Sequence, residues 1–230
     1  MPMNTFRDEV GRKVIHVLII FFPCVYFFFA IPFGHREGLL ALVALLVLGI
    51  ILEYLRLEHR VRLPLLSWLW DNFRREKEEE HMGAEIYTML GVIVALAVFD
   101  LRVAVAAIMM TVFGDLTACL VGMRFGSIRP AAFRGKSVEG AAVALVANLA
   151  VGFIFLRTCA GGSVWWWQAM QDPEWLFSGA GFGEPLWPVI PVMALAAAAV
   201  ELLISKINDN LTIPVISGLA GQVTLSALSG

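Results

Sequence analysis

Charged side chains that interrupt apolar runs are where this sequence could do chemistry. The first such place is Gly114 to Gly140, GDLTACLVGMRFGSIRPAAFRGKSVEG. Asp115 lies inside an apolar run; at ~1.5 Å per residue an unbroken helix sets it ~13 Å inside the helix end marked by Arg124. An Asp near mid-membrane is unfavourable by ~2.5–3.5 kcal/mol, so such acids are rare and usually functional. Beyond it the chain leaves the apolar region through Gly122, Arg124 and Gly126 into a basic loop with Arg129, Arg134 and Lys136. Arg offers bidentate contacts to phosphate, Lys a mobile point charge, and Gly a backbone N–H that a ligand can approach. Gly135-Lys136-Ser137 invites comparison with a Walker A motif, but Pro130 stands where that motif needs Gly and no strand precedes the loop. A plainer reading competes: Gly114, Ala118, Gly122 and Gly126 recur every four residues, a small-residue seam for close helix packing. It accounts for the glycines and leaves Asp115 unexplained.

Two further places carry polar chemistry. VELLISKINDNLTIP sets Glu201 at an apolar position and Asn208, Asp209 and Asn210 in a tight turn. Turn chemistry alone explains Asn-Asp-Asn, with Asn210 expected to cap a helix at Leu211. GRKVIH near the start holds Arg12, Lys13 and His16, close enough in helical spacing to share one face. A topogenic basic pair beside a helix-packed His explains them equally well. Carboxylates beside basic groups are what Mg²⁺-nucleotide chemistry requires, acids for the metal and cations for the phosphates.

The elements that must position these residues are apolar helices. Hydrophobic residues fill 59% of the 230 positions and charged ones only 16%, where a soluble domain carries about a quarter. Mean hydropathy is +0.79. The excess apolar surface must face lipid, so the expected fold is an all-α polytopic membrane protein. Seven spans are expected, at about 14–31, 39–55, 86–101, 103–123, 139–156, 187–205 and 211–228. With the N-terminus inside, all but three of the 17 Lys and Arg (Arg36, Arg102, Arg157) fall on the inner side, as the positive-inside rule requires. That topology brings Asp115, Lys136, Glu201 and Asp209 to one membrane side.

One transmembrane catalytic domain is expected over 1–230, with a cytoplasmic loop at 56–85 and an extracytoplasmic loop at 157–186. In the first, Leu65, Leu66, Trp68, Leu69 and Phe73 can form an apolar face lying on the membrane, followed by a solvated charge run. In the second, Trp165, Trp166 and Trp167 fit the interfacial aromatic belt. The first apolar run lacks a cleavage site and reads as a retained span. Net charge is −2, so no overall basic field points to nucleic acid. Cys24, Cys119 and Cys159 form neither a zinc pattern nor a disulfide framework.

GRKVIH, EYLR (Glu53, Arg56), EIYTMLG, GDLTACLVGMRFG, GKSVEG and the Glu201…DNLTIP segment resemble, in order from Gly11 to Pro214, successive motifs of the dolichol kinase/phytol kinase family. That family includes a CTP-dependent diacylglycerol kinase. The resemblance implies a membrane enzyme that uses CTP and Mg²⁺ to phosphorylate a lipid alcohol: a polyprenol or dolichol, a phytol-type prenyl alcohol, or diacylglycerol. Asp115 and Asp209, with Glu201, would then be the metal-side acids. Lys136, Arg12, Lys13 and Arg134 would neutralise phosphates, with Gly122, Arg124, Gly126, Asn208 and Asn210 around the nucleotide. Glu139, Glu201 and His16 are candidates to orient groups or accept the hydroxyl proton. The GD…G…FG…K…EG core is also similar to phosphatidate cytidylyltransferases, but their C-terminal signature of paired aspartates has no obvious copy here. Larger family members carry extra N-terminal spans, so a compact version, expected in the inner membrane of a prokaryote, is implied. Cytidylyl transfer and an ion-coupled transporter are the alternatives; against the latter, the acids cluster towards one face. The small-residue seam can pack within the chain or between two copies as a homodimer.

Overall fold

A computed structural model describes residues 17–58, 83–130, 135–159, 163–172, 182–203 and 208–229. The chain divides into two compact units, Met1–Ile93 and Val94–Gly230.

In the first unit a short 3₁₀ turn, Val17–Ile20, leads into α1 (Phe21–Phe33), followed by α2 (His35–Leu57) and the greater part of α3 (Ala84–Val98). The expected break near 31–39 falls at Gly34, whose φ of 115° is accessible to glycine. The Gly34 N–H donates to the Ala30 carbonyl at 2.9 Å and closes α1. The two helices then pack closely: a Cβ on Gly38 would lie 2.8 Å from the Tyr26 ring. The Tyr26 hydroxyl and His35 Nδ1 pair at 2.6 Å across the turn. Glu53, deeply buried on α2, accepts the Gly83 N–H at 2.9 Å just ahead of α3.

The second unit holds α4 (Leu101–Phe125), α5 (Val138–Phe155), β1 (Arg157–Cys159), α6 (Trp165–Gln171), β2 (Phe182–Pro185), α7 (Val189–Leu203) and α8 (Asp209–Ser229). Every residue from Val103 to Val112 is buried. A helix apolar all round belongs in the middle, and α4 packs against α5, α7 and α8. It begins at Leu101 because Asp100 caps it, accepting the Arg102 N–H at 3.0 Å. The Asp100 N–H in turn donates to Gln222 of α8 at 2.7 Å.

Each of the seven expected intervals coincides with an apolar helix. Four of these, α2, α4, α5 and α8, are long and apolar enough to cross a membrane, while α1, α3 and α7 are shorter. Phe28, Val146, Leu195 and Val223 project apolar surface outward, as side chains facing lipid do. The protein is therefore an integral membrane protein, and among the described residues the regular structure is helical apart from one small sheet.

That sheet was not expected. β1 and β2 pair antiparallel within the 157–186 loop, Arg157 opposite Pro185 and Cys159 opposite Phe182. The tryptophans beside it also act differently from a simple belt. Trp165 Nε1 donates to the Ile154 carbonyl at 2.6 Å, and Trp166 Nε1 to the Phe155 carbonyl at 2.9 Å. The last carbonyls of a helix lack intrahelical donors, so these two indoles cap α5. Most of the 56–85 loop, with Leu65, Trp68, Phe73 and the charge run, lies outside the described residues.

Candidate functional site

The end of α4 and the start of α5 meet along the small-residue seam, and the contact is within the chain. Ser137 caps α5, its Oγ accepting the Gly140 N–H at 3.1 Å, and wedges between the glycines of α4. A Cβ on Gly122 would lie 2.9 Å from Ser137 Oγ, and one on Gly126 2.6 Å from Ser137 Cβ. A Cβ on Gly140 would lie 2.8 Å from the Ala118 carbonyl oxygen and 3.3 Å from the Gly122 Cα. Close helix approach thus explains Gly122, Gly126 and Gly140 without a ligand.

The chain after α4 folds back on the start of α5. Arg129 gathers the exposed carbonyls: its Nη2 donates to Gly122 at 2.8 Å, its Nε to Gly126 at 3.3 Å and its Nη1 to Gly135 at 3.3 Å. A basic side chain satisfying the last carbonyls of a helix also complements the helix dipole. The Val138 N–H donates to the Ile128 carbonyl at 3.0 Å. Glu139 closes the arrangement, its Oε1 accepting the Ser127 N–H at 3.0 Å, the Ser127 hydroxyl at 2.9 Å and the Ile128 N–H at 3.0 Å. Arg124 is exposed, its guanidinium 5.7 Å from the centre of the Phe125 ring.

Lys136 points the other way, into the turn between α7 and α8. Its ammonium pairs with Asp209 Oδ2 at 2.8 Å and also donates to the backbone carbonyl of Glu201. Asp209 opens α8, where the helix N-terminus favours a carboxylate. Asn208, and not Asn210, supplies the cap: Asn208 Oδ1 accepts the Asn210 N–H at 3.0 Å. The helix therefore begins at Asp209, two residues before the expected Leu211, and Asn210 turns inward and is buried. The Glu201 side chain is buried in the last turn of α7.

Asp115 sits half-buried on α4, next to Gly114. Gly114 faces Asn148 of α5, a residue that sequence reasoning passed over. Asn148 is 1% exposed, and its Oδ1 has no hydrogen-bond partner. A Cβ on Gly114 would lie 2.5 Å from that oxygen. A single Asn within an apolar run was the available signal.

Lys136, Asp209 and the end of α7 at Glu201 are thus brought together, with Asn208 and Asn210 in the same turn. Among the described residues, no group of three or more His, Cys, Asp or Glu could hold a metal ion. Arg12, Lys13, His16 and Arg134 lie outside the described residues.

No family model matches the chain, and no solved structure does. Curated relatives do match over nearly its whole length. The chain resembles CTP-dependent diacylglycerol kinases. It is 24% identical to CTP-dependent diacylglycerol kinase 1 of Schizosaccharomyces pombe, over 92% of this chain and 91% of that protein. It is 26% identical to the protein of the same name from Eremothecium gossypii, over 93% of this chain and 66% of that protein. For the Saccharomyces cerevisiae protein of that name the identity is 24%, over 93% and 72%. These relatives bear out the family likeness drawn from the motifs. They are eukaryotic, so the expected prokaryotic inner membrane gains no support from them.

The two polar knots at the start of α5 have different chemistry. One is an ion pair that fixes the α7–α8 turn against the start of α5. The other is a folded loop whose backbone donors converge on one carboxylate oxygen. Both can meet an anionic ligand, through a cation in the first and oriented N–H groups in the second.

Proposed function

We propose that the chain is a CTP-dependent kinase that phosphorylates the hydroxyl of a membrane lipid alcohol. In this reading it works at the inner face of a membrane crossed seven times, with its N-terminus inside. One observation carries the proposal: three relatives named as CTP-dependent diacylglycerol kinases match across 92–93% of the chain. Diacylglycerol is accordingly the first substrate to test, with polyprenols and phytol-type alcohols in the same chemical class. Neither cytidylyl transfer nor ion-coupled transport is favoured by these relatives.

The reaction is an in-line displacement. The lipid oxygen bonds to the γ-phosphorus of CTP while the bond from that phosphorus to the β–γ bridging oxygen breaks. CDP leaves with the electron pair, and the hydroxyl proton passes to a base. Phosphoryl transfer asks mainly for positioning and charge neutralisation. Asp115 and Asp209 are the proposed metal-side acids, with Glu201 in the last turn of α7. Lys136, Arg12, Lys13 and Arg134 are the proposed phosphate-side cations. The Lys136–Asp209 pair supports a shared role, in which the ammonium holds the Asp209 carboxylate in place. Glu139, Glu201 and His16 are the candidates to orient groups or receive the proton.

Mg²⁺ is commonly held by one or two carboxylates together with substrate phosphates, not by an all-protein cage. Asp115 and Asp209 would be the carboxylates that hold such an ion, delivered with the nucleotide. When bound, Mg²⁺ supplies charge neutralisation at the phosphates.

The test uses purified protein, Mg²⁺, diacylglycerol and CTP labelled at the α or the γ phosphate. Label from the γ position is expected in phosphatidate. Label entering lipid only from the α position would overturn the kinase reading.

A further inference from the structure

We infer that the Ser127 and Ile128 backbone N–H groups, with the Ser127 hydroxyl, form a subsite for a phosphate oxygen of the nucleotide, and that Glu139 competes with the nucleotide for it. The inference rests on the kinase reading above, to which it adds a binding subsite and a built-in competitor.

Three donors converge on Glu139 Oε1, all within 3.0 Å: the two successive N–H groups and the hydroxyl. The Ile128 N–H also reaches Oε2 at 3.3 Å. Successive N–H groups aimed at one point make an anion-binding concavity, and a phosphate oxygen has the charge and acceptor character of a carboxylate oxygen. The donors do not depend on Glu139 for their position. Arg129 ties the same loop to the carbonyls of Gly122, Gly126 and Gly135, and the Val138 N–H ties it to the Ile128 carbonyl. A loop held by four other hydrogen bonds keeps its shape when the carboxylate leaves. The bonds are solvent-exposed, so exchange of one anion for another needs no opening of the core. Arg129 puts a cation in the loop itself. The general rule behind competition is that a site occupied from within binds its ligand more weakly in proportion to the fraction of time it is open.

Calorimetric titration of Mg²⁺–CTP into detergent-solubilised wild type, Glu139→Ala, Glu139→Gln and Ser127→Ala tests the inference. Removing the competitor is expected to tighten CTP binding about three- to tenfold in Glu139→Ala, as for an internal occupant present about 70–90% of the time. Glu139→Gln, still an acceptor but uncharged, is expected to fall between it and wild type. Ser127→Ala, short of one donor, is expected to bind CTP more weakly than wild type. CTP binding that is unchanged or weaker in both Glu139 variants overturns the subsite, because Glu139 is then a loop staple. If Glu139→Ala fails to fold, Glu139→Gln alone decides the same question. A parallel titration with phosphatidate in bicelles separates the two sources of phosphate. Tightening for phosphatidate but not for CTP overturns the nucleotide assignment. A wild type that binds no CTP removes the kinase reading itself, a result distinct from wild-type binding that the Glu139 variants fail to improve.

Discussion

The contact between Lys136 and Asp209 yields the sharpest prediction. At 2.8 Å and an effective dielectric of ~20, two unit charges attract by about 6 kcal/mol before any offsetting term. Desolvation and the entropy of holding both side chains reduce that figure. The side chains keep 31% and 27% of their exposure, so a net coupling of about 1–2 kcal/mol is expected, between that of a surface pair and a buried one. The single variants should not be equal. Lys136→Met leaves both Asp209 and the Glu201 carbonyl short of a donor, which costs about 2–3 kcal/mol. Asp209→Asn keeps an acceptor for the ammonium and costs about 1 kcal/mol. With Lys136 already gone, adding Asp209→Asn should cost less than it does in wild type, because the contact with the ammonium is already lost. The assay is reversible unfolding of detergent-solubilised protein by titrated SDS, followed by tryptophan fluorescence, for wild type, both singles and the double. Strict additivity of the singles, within about 0.3–0.5 kcal/mol, would refute the idea that this pair holds the α7–α8 turn. The same cycle read in kcat/KM for CTP should show all three variants impaired, the double no worse than Lys136→Met.

Three further predictions follow from other parts of the structure. Asp115→Asn should leave the protein folded in detergent and lower kcat/KM by about 10²–10³-fold, the scale of one lost charge-stabilising group; near-normal turnover would remove Asp115 from the mechanism. Gly140→Ala forces a methyl against the Ala118 carbonyl oxygen at 2.8 Å, so overpacking should cost about 1–3 kcal/mol in the same SDS titration. Burial by itself raises the Asp100 carboxyl, but its hydrogen bonds to Arg102 and the neighbouring positive charge outweigh that and hold it below the ordinary 3.8. A depressed folded value stabilises above the unfolded pKa and loses that contribution as pH falls through the folded one. The stability advantage of wild type over Asp100→Asn should therefore be full near neutrality and shrink only below pH 3.8; an advantage independent of pH down to acid unfolding would contradict the charge argument.

Seven apolar helices, the exceptional position of Asp115 and the small-residue seam were legible in sequence, because each depends on local composition or on helical spacing alone. Hydrophobic runs of near-spanning length have one stable fate in lipid, a helix with its backbone satisfied internally. The family likeness was legible for a similar reason, since an ordered set of short motifs does not depend on contacts. Partnership was not legible. Lys136 and Asp209 are separated by 73 positions, and only the packing of α5, α7 and α8 decides that the ammonium meets this carboxylate and the Glu201 carbonyl. Glu139 reads in sequence as a candidate to orient groups or accept the hydroxyl proton; its engagement depends on which way the Ser127 and Ile128 N–H groups point, and no side-chain pattern encodes that direction. The tryptophans fitted a belt by composition, yet hydrogen-bond geometry made two of them caps for α5. Asn148 shows the same limit, since an uncharged polar residue in an apolar run becomes conspicuous only once its neighbours leave its oxygen without a donor. Sequence by itself thus determined which segments form helices and which residues are too polar to be there by chance. Tertiary structure alone decided which of those residues meet, because a polar contact is set by direction and distance within about an ångström, and spacing along the chain carries neither.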